Sequence, residues 1–362
     1  QVDSLIEDGI ERGITPGLAI AVVRGGTVVR LRGYGRTDWE AHAPAVTPAT
    51  LFDLSSLTKV FATTVGVMRH VDAGLLSLDD RVSDHLPFWP ASGNHGKLRI
   101  RHLLEHSSGL SHGLKSWTGP GGRRERIRSL ADLPFRRIPG SVTEYSDVGP
   151  LILGAILEEI QGMRLDRYLQ LRVFRPMGLR ETLFRPALDA PHVLARVAPT
   201  EVDRNRRMRH LHGEVHDPLA WTLDGVAGNA GLFSSARDLA VLTQDILDAV
   251  QGRPAFLVSS SVARDFTRRR GNDRALGWDV PTGPDSNAGR YFSARSFGHT
   301  GYTGPSVWVD PELDLFVVIL MNRINPTAAE SRHVELRQRI HDAVALSVVD
   351  RVLRIRDDAR VP

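Results

Sequence analysis

A chain of 362 residues, 41% hydrophobic and 24% charged, has the make-up of a globular protein large enough for one big domain or two lobes. It contains no cysteine, which excludes disulfides, thiolate catalysis and cysteine-ligated zinc, and its most apolar run, 315–321, is far short of the roughly 20 residues of a membrane span. The net charge of +4 gathers in arginine runs at 123–128, 204–209 and 268–270, which lack interleaved aromatics and so read as solvated surface and not as a nucleic-acid footprint.

A short opening helix precedes two β-rich runs, 18–23 and 27–31, that flank Gly25-Gly26 and signal a hairpin. An extended piece at 51–54 leads into a helical pattern from about Ser56 to Ala73, stopped by Gly74. Val60, Phe61, Val65, Val67, Met68 and Val71 place apolar groups on most sides of that helix, which predicts burial. From 75 to 245 the chain turns rich in Pro, Gly and Arg, with helical patches at 100–105, 151–160 and 165–173 and weak strand signals. Beyond about 275 β character returns: 306–309 and 315–320 flank a turn containing Asp310-Pro311-Glu312, and a helical pattern from about Ala328 to Val348 closes the chain. Strands at both ends around a helical middle predict an α+β protein, with an α/β lobe from 1–74 and 246–362 and a mostly helical lobe from 75–245. No secretory leader is visible at Gln1, so the compartment stays open between cytoplasmic and, for a trimmed mature form, secreted or periplasmic.

Lysine is scarce, occurring only at positions 59, 97 and 115, so a surviving lysine is a candidate for a task that arginine does not perform, such as transferring a proton. Ser56-Leu57-Thr58-Lys59 is the strongest local signal. On a helix, residues i and i+3 share a face, so the Ser56 hydroxyl and Lys59 amine can lie side by side. A serine hydroxyl needs such a neighbour to become a nucleophile, and the N–H groups at the helix start can stabilise a developing oxyanion. An N-capping serine beside an unrelated lysine is the plainer alternative. Two further pieces weigh against it: Tyr145-Ser146-Asp147, after Pro139-Gly140 and opening a helix at about Pro150, and His299-Thr300-Gly301, placed before the last hairpin where a sheet edge would present it.

In order and spacing these three elements resemble the serine β-lactamase and penicillin-binding protein superfamily, in its class C-like, esterase-like branch. The segments 52–59 (Phe-Asp-Leu-Ser-Ser-Leu-Thr-Lys), 228–234 (Gly-Asn-Ala-Gly-Leu-Phe-Ser) and 298–304 (Gly-His-Thr-Gly-Tyr-Thr-Gly) extend the likeness, which covers about 17–323. It implies a β-lactamase/transpeptidase-like fold, with an antiparallel sheet flanked by helices, a helical insertion, and the active site in the cleft between lobes. It further implies Ser56 as nucleophile, Lys59 as its hydrogen-bonded partner, and Tyr145 as general base, made a phenolate by nearby positive charge. The backbone N–H groups of Ser56 and Tyr302 would form the oxyanion hole, with Asp147, His299, Thr300, Gly301 and Tyr302 facing the substrate and no cofactor or metal required.

Two positions depart from the family pattern. Asp147 stands where the pattern has Asn; it cannot donate an amide hydrogen bond, but it can keep Lys59 protonated, and it can also N-cap the following helix. His299 replaces the lysine that steers a substrate carboxylate, and a mostly neutral histidine pulls less on such a group. Both changes favour a small-molecule or peptide-like ester or amide without a terminal carboxylate over a D,D-peptide or β-lactam. From another class, His102-Leu103-Leu104-Glu105-His106 spells H-x-x-E-H, and with His112, His210, His212 and His216 it makes a zinc hydrolase the main rival. A non-catalytic penicillin-binding-like module is a second rival, against which intact Ser56, Lys59 and Tyr145 argue. Trp117 and Tyr302 are candidates for lining the acyl pocket, and Glu144 reads as a surface residue.

Overall fold

The computed structural model describes residues 1–111, 121–270, 273–283 and 285–350. Its centre is a five-stranded antiparallel sheet that joins the two ends of the chain. The strands β1 (Gly17–Arg24) and β2 (Thr27–Gly35) come from the start, and β8 (Phe297–Thr300), β9 (Ser306–Asp310) and β10 (Leu315–Met321) from the end. Their order is β2-β1-β10-β9-β8. The predicted first hairpin is present: Arg24 pairs with Thr27 across Gly25-Gly26, whose φ values of 56° and 72° suit glycine.

Alternate side chains of β1 and β10 enter different cores, which is why β10 and all of β1 before Arg24 are apolar. Ala19, Ala21, Val318 and Leu320 face one cluster, and Leu18, Ile20, Val317 and Ile319 face the other. The helix Ala236–Gln251 lies on β1 and β10 on the first side. On the second side the helices Val2–Glu11 and His333–Leu346 pack on each other, and Ile6, Leu336 and Ile340 fill that core. The closing helix is shorter than the predicted 328–348.

The middle of the chain carries the helices Ile100–Leu104, Val148–Gln161 and Leu165–Leu169, close to the predicted patches, the last continuing as a π-helical turn Gln170–Phe174. It also holds strands that periodicity did not reveal. Of these, β4 (Leu183–Phe184) and β7 (Leu232–Ser234) join β3 (Phe52–Asp53), which lies in the predicted extended piece 51–54, in a second sheet of order β3-β7-β4, and β5 (Val202–Asp203) pairs with β6 (Arg209–His210). Strands of two or three residues are too short to show an alternating pattern. The helix after β3 is helical from residue 57, takes π-helical form over Lys59–Thr64, and is α-helical over Val65–Asp72. It is buried as expected. No described helix is long and apolar enough to cross a membrane.

Candidate active site

The site is built where β3, the start of the buried helix and the end of β8 meet. The carboxylate of Asp53, buried at the end of β3, accepts the Ser55 N–H (2.8 Å) and the His216 N–H (2.7 Å). Burial, outweighing these bonds, pushes its pKa up from the ordinary carboxylate range. Ser55 adopts a left-handed φ of 48°, a conformation that costs a non-glycine residue about 1 kcal/mol and turns the chain sharply into the helix. Ser56 therefore sits at the helix start, and among the described residues no acceptor is bonded to its N–H.

One helical turn on, Lys59 Nζ donates to Ser56 Oγ (2.8 Å), to Asn229 O (3.1 Å) and to Asp147 Oδ1 (2.7 Å). Lys59 is 2% exposed. Burial alone would push its ammonium down, but the Asp147 carboxylate and the neighbouring Tyr145 together carry it above the ordinary lysine range. Asn229 is itself anchored, its amide Nδ2 donating to Asp217 Oδ1 (3.1 Å) at the N-cap of the helix Pro218–Thr222. Asp147 thus meets Lys59, as one expectation had it. Asp147 also stands at the N-cap of the helix Val148–Gln161, as expected, but its side chain makes no capping bond there, and Ser146 Oγ instead accepts the Val148 N–H (3.1 Å).

Tyr145 closes the other side of Ser56, its Oη–H donating to Ser56 Oγ at 2.9 Å. His106 holds the segment in place. Its carbonyl accepts the Glu144 N–H (2.8 Å), its Nδ1 accepts the Ser146 N–H (3.1 Å), and its ring lies 4.7 Å from that of Tyr145. Burial and the charges of Arg274 and Lys59 push His106 well below the ordinary histidine range, so it is neutral. Replacing His106 with alanine is expected to cost about 1–3 kcal/mol, the price of one buried N–H without an acceptor plus a cavity. Urea unfolding of the two proteins checks this.

β8 is the sheet edge, as expected, and brings His299 beside Tyr145 (ring centroids 5.9 Å apart) and Tyr302 beside Ser55. A Cβ on Gly301 would stand 2.5 Å from Leu54 O, so glycine alone permits this approach. Thr303 Oγ1 adds a bond to Asp53 O (2.7 Å). The Tyr302 N–H donates in this structure to Ser55 Oγ (3.2 Å), a partner the sequence did not suggest. The Tyr302 ring is half exposed, with the His216 ring stacked at 5.6 Å and the Arg323 guanidinium at 4.3 Å from its centroid. His299 is 2% exposed; burial, then the charges of Lys59 and Arg274, push it down to about 3, and its Nδ1–H donates to Thr300 O (2.7 Å). Thr300 is half-buried and Glu144 exposed. Trp117 and His112 lie outside the described residues.

The zinc arrangement does not assemble. The helix ends at Leu104 and His106 takes a φ of 54°, so His102 and His106 do not share a helical face. His102 Nδ1 instead accepts the Arg99 N–H (3.2 Å). His210, His212 and His216 contact Thr200 O, Val197 O and the Glu201 carboxylate in turn. Among the described residues no group of three or more His, Cys, Asp or Glu side chains is placed to hold a metal ion. Beyond the residues anticipated for a serine site, the structure adds Ser55, His106, Asn229, Asp217 and Arg274, the last with its guanidinium 5.2 Å from the Tyr145 ring centroid.

A sheet covered by helices on both faces, with a serine and a lysine at the start of a buried helix and a tyrosine opposite, defines a penicillin-binding-type serine hydrolase fold. The chain belongs to the Beta-lactamase family, whose model matches residues 2–341. It is 33% identical to N-acetylmuramyl-L-alanine amidase of Bacillus subtilis (strain 168), over 89% of this chain and 80% of that one. It is 31% identical to a putative D-alanyl-D-alanine carboxypeptidase of Salmonella typhi, over 92% and 84%. Among solved structures it resembles EstCE1, a hydrolase with promiscuous acyltransferase activity, with a TM-score of 0.75 and 24% identity over 95% and 97% of the two chains. An octameric penicillin-binding protein homologue from Pyrococcus abyssi also gives a TM-score of 0.75, with 22% identity over 96% and 76%. The structural likenesses show the fold, and the protein is an enzyme of the serine hydrolase type.

Proposed function

We propose that the protein cleaves an amide or ester through an acyl-enzyme on Ser56, in a cleft between a sheet lobe and a helical lobe. The observation that carries this is the pair of contacts to one oxygen: Ser56 Oγ lies 2.8 Å from Lys59 Nζ and 2.9 Å from Tyr145 Oη. With Lys59 kept as an ammonium by Asp147, Tyr145 acts as the base: its Oη takes the proton of Ser56 as Oγ attacks the substrate carbonyl carbon. The carbonyl oxygen becomes negative against the N–H groups of Ser56 and Tyr302, and the Ser55 hydroxyl gives up its bond to the latter. Tyr145 returns the proton to the leaving nitrogen or oxygen. Attack by water, or by an acceptor nucleophile, then releases the acyl group.

The neutral, buried His299 supports a substrate bound without a carboxylate beside the scissile bond. An amide like the one named in the Bacillus subtilis relative, between N-acetylmuramyl and L-alanine, is of that kind when the alanine carboxyl is itself in peptide linkage. We take an amide of this class as the substrate. The test compares turnover of an N-acetylmuramyl-L-alanyl peptide, an acyl-D-alanyl-D-alanine peptide, a penicillin and a small aryl ester. The expected result is cleavage of the first and last, lost in Ser56→Ala. Efficient turnover of the penicillin or the D-alanyl peptide, with none of the other two, contradicts the assignment.

A further inference from the structure

The charges around Tyr145 are uneven in origin. His299, on β8, stands where the resembling family carries a lysine, yet it is neutral and buried, so the strand contributes no cation. A cation nonetheless reaches the same ring from elsewhere. The Arg274 guanidinium lies 5.2 Å from the centroid of the Tyr145 ring, and Lys59 Nζ lies 5.1 Å from that centroid. Arg274 is mostly buried, and burial lowers its pKa from a starting value so high that it stays charged.

Arg274 is also fixed to the strand that lacks the charge. Its Nη1 pairs with the Asp279 carboxylate, and the Asp279 backbone exchanges two hydrogen bonds with Gly298, at 2.8 and 3.0 Å, directly before His299. The Nε has no hydrogen-bond partner among the described residues, with the Asp273 carboxylate 3.6 Å away. The groups around Tyr145 can be set out by element. Ser56 and Lys59 come from the start of the buried helix, and His106 follows the helix Ile100–Leu104. His299 comes from β8, Arg274 and Asp279 from the segment before β8, and Glu144 and Asp147 from the tyrosine's own stretch. His106 and His299 are neutral. Lys59 and Arg274 are therefore the cations of this set; Lys59 is paired with Asp147, and Arg274 with Asp279 and, at 3.6 Å, with Asp273.

We propose that Arg274 is a positioning residue for the Tyr145 step: it supplies the cleft's second fixed positive charge, in place of a cation at position 299, and stabilises negative charge on the Tyr145 oxygen. This rests on the proposed role of Tyr145 as the base. Because Arg274 lies over the ring and makes no hydrogen bond to Oη, its effect is one of field and not of direct proton transfer.

The test is the pH dependence of kcat/KM on a small neutral aryl ester, for the wild type and for Arg274→Gln, Arg274→Lys and Asp279→Asn. The neutral substrate removes any part Arg274 plays in holding a substrate carboxylate. Losing the cation disfavours an ionised base, so the acid limb for Arg274→Gln is expected to move up by about one pH unit. The deficit is then about tenfold on that limb and shrinks as pH rises. Arg274→Lys is expected between Arg274→Gln and the wild type, and Asp279→Asn, which removes one of the cation's two counter-charges and leaves Asp273, to move the limb downward. Thermal melts establish that each variant is folded, and if Arg274→Gln fails to fold, the opposite shifts of the other two carry the test. An unmoved acid limb, or a deficit of the same factor at every pH, overturns the inference while leaving the acyl-enzyme reading in place. Wild-type turnover that survives Ser56→Ala overturns that reading, and this inference with it.

Discussion

Ser56→Ala is expected to lower kcat/KM on an activated ester by a factor on the order of 10⁴ to 10⁶, because no acyl-enzyme can form without the attacking oxygen. The residual rate would come from the Ser56 and Tyr302 N–H groups and from binding alone. The fold should be unaffected, since the Ser56 hydroxyl bonds only to Lys59 and Tyr145 among the described residues and supports no element of the core. Steady-state rates with a matched thermal melt separate the two effects. A loss of less than about tenfold would mean that another group attacks the substrate.

Lys59 should rank next. Lys59→Ala removes the donor to Ser56 Oγ, leaves Asp147 without its partner and opens space at a buried position, so a loss on the order of 10³ to 10⁴ in kcat/KM is expected. The charge state of this lysine makes a second, signed prediction. In the wild type burial pushes the ammonium down, while Asp147 and Tyr145 more than offset that push, so the folded value lies above the unfolded one. The stabilisation from this pairing is therefore full through neutral pH and is lost only as pH rises through the folded value, beyond the ordinary lysine range. In Asp147→Asn the largest opposing charge is gone and burial weighs more heavily. The ammonium should then be lost at lower pH, and the alkaline limb of kcat/KM should move downward. A pH–rate profile of Asp147→Asn with its alkaline limb in the wild-type position would show that Asp147 does not govern Lys59.

How far the sequence could be read differs from element to element, for physical reasons. Ser56 and Lys59 were legible because a three-residue spacing on a helix forces proximity, and the hairpin at Gly25-Gly26 because two consecutive positive φ values favour glycine. The sheet-edge position of His299 followed from its place before the last hairpin. The strands β4 and β7 were not legible, since pairs of two or three residues are selected by contacts with distant segments, whereas β3 lies in the extended piece expected at 51–54. His106 illustrates the opposite error. Its spacing from His102 suggested a metal-binding helical face, but the helix stops at Leu104, and the histidine turns back to accept the Ser146 N–H beside Tyr145. Arg274 reaches the site only through the pairing of Asp279 with Gly298, which no local pattern encodes. Ser55, next to the nucleophile in the chain, was passed over because its partner, the Tyr302 N–H, arrives from the other end of the sequence.

The central claim is a covalent acyl-enzyme on Ser56, and intact-protein mass spectrometry during turnover of an activated ester tests it most directly. Wild type quenched in acid should carry a mass increment equal to the acyl group, peptide mapping should place it on the fragment containing Ser56, and Ser56→Ala should carry none. Turnover with no increment under rapid quench, or an increment that maps to another residue and persists in Ser56→Ala, would contradict the account.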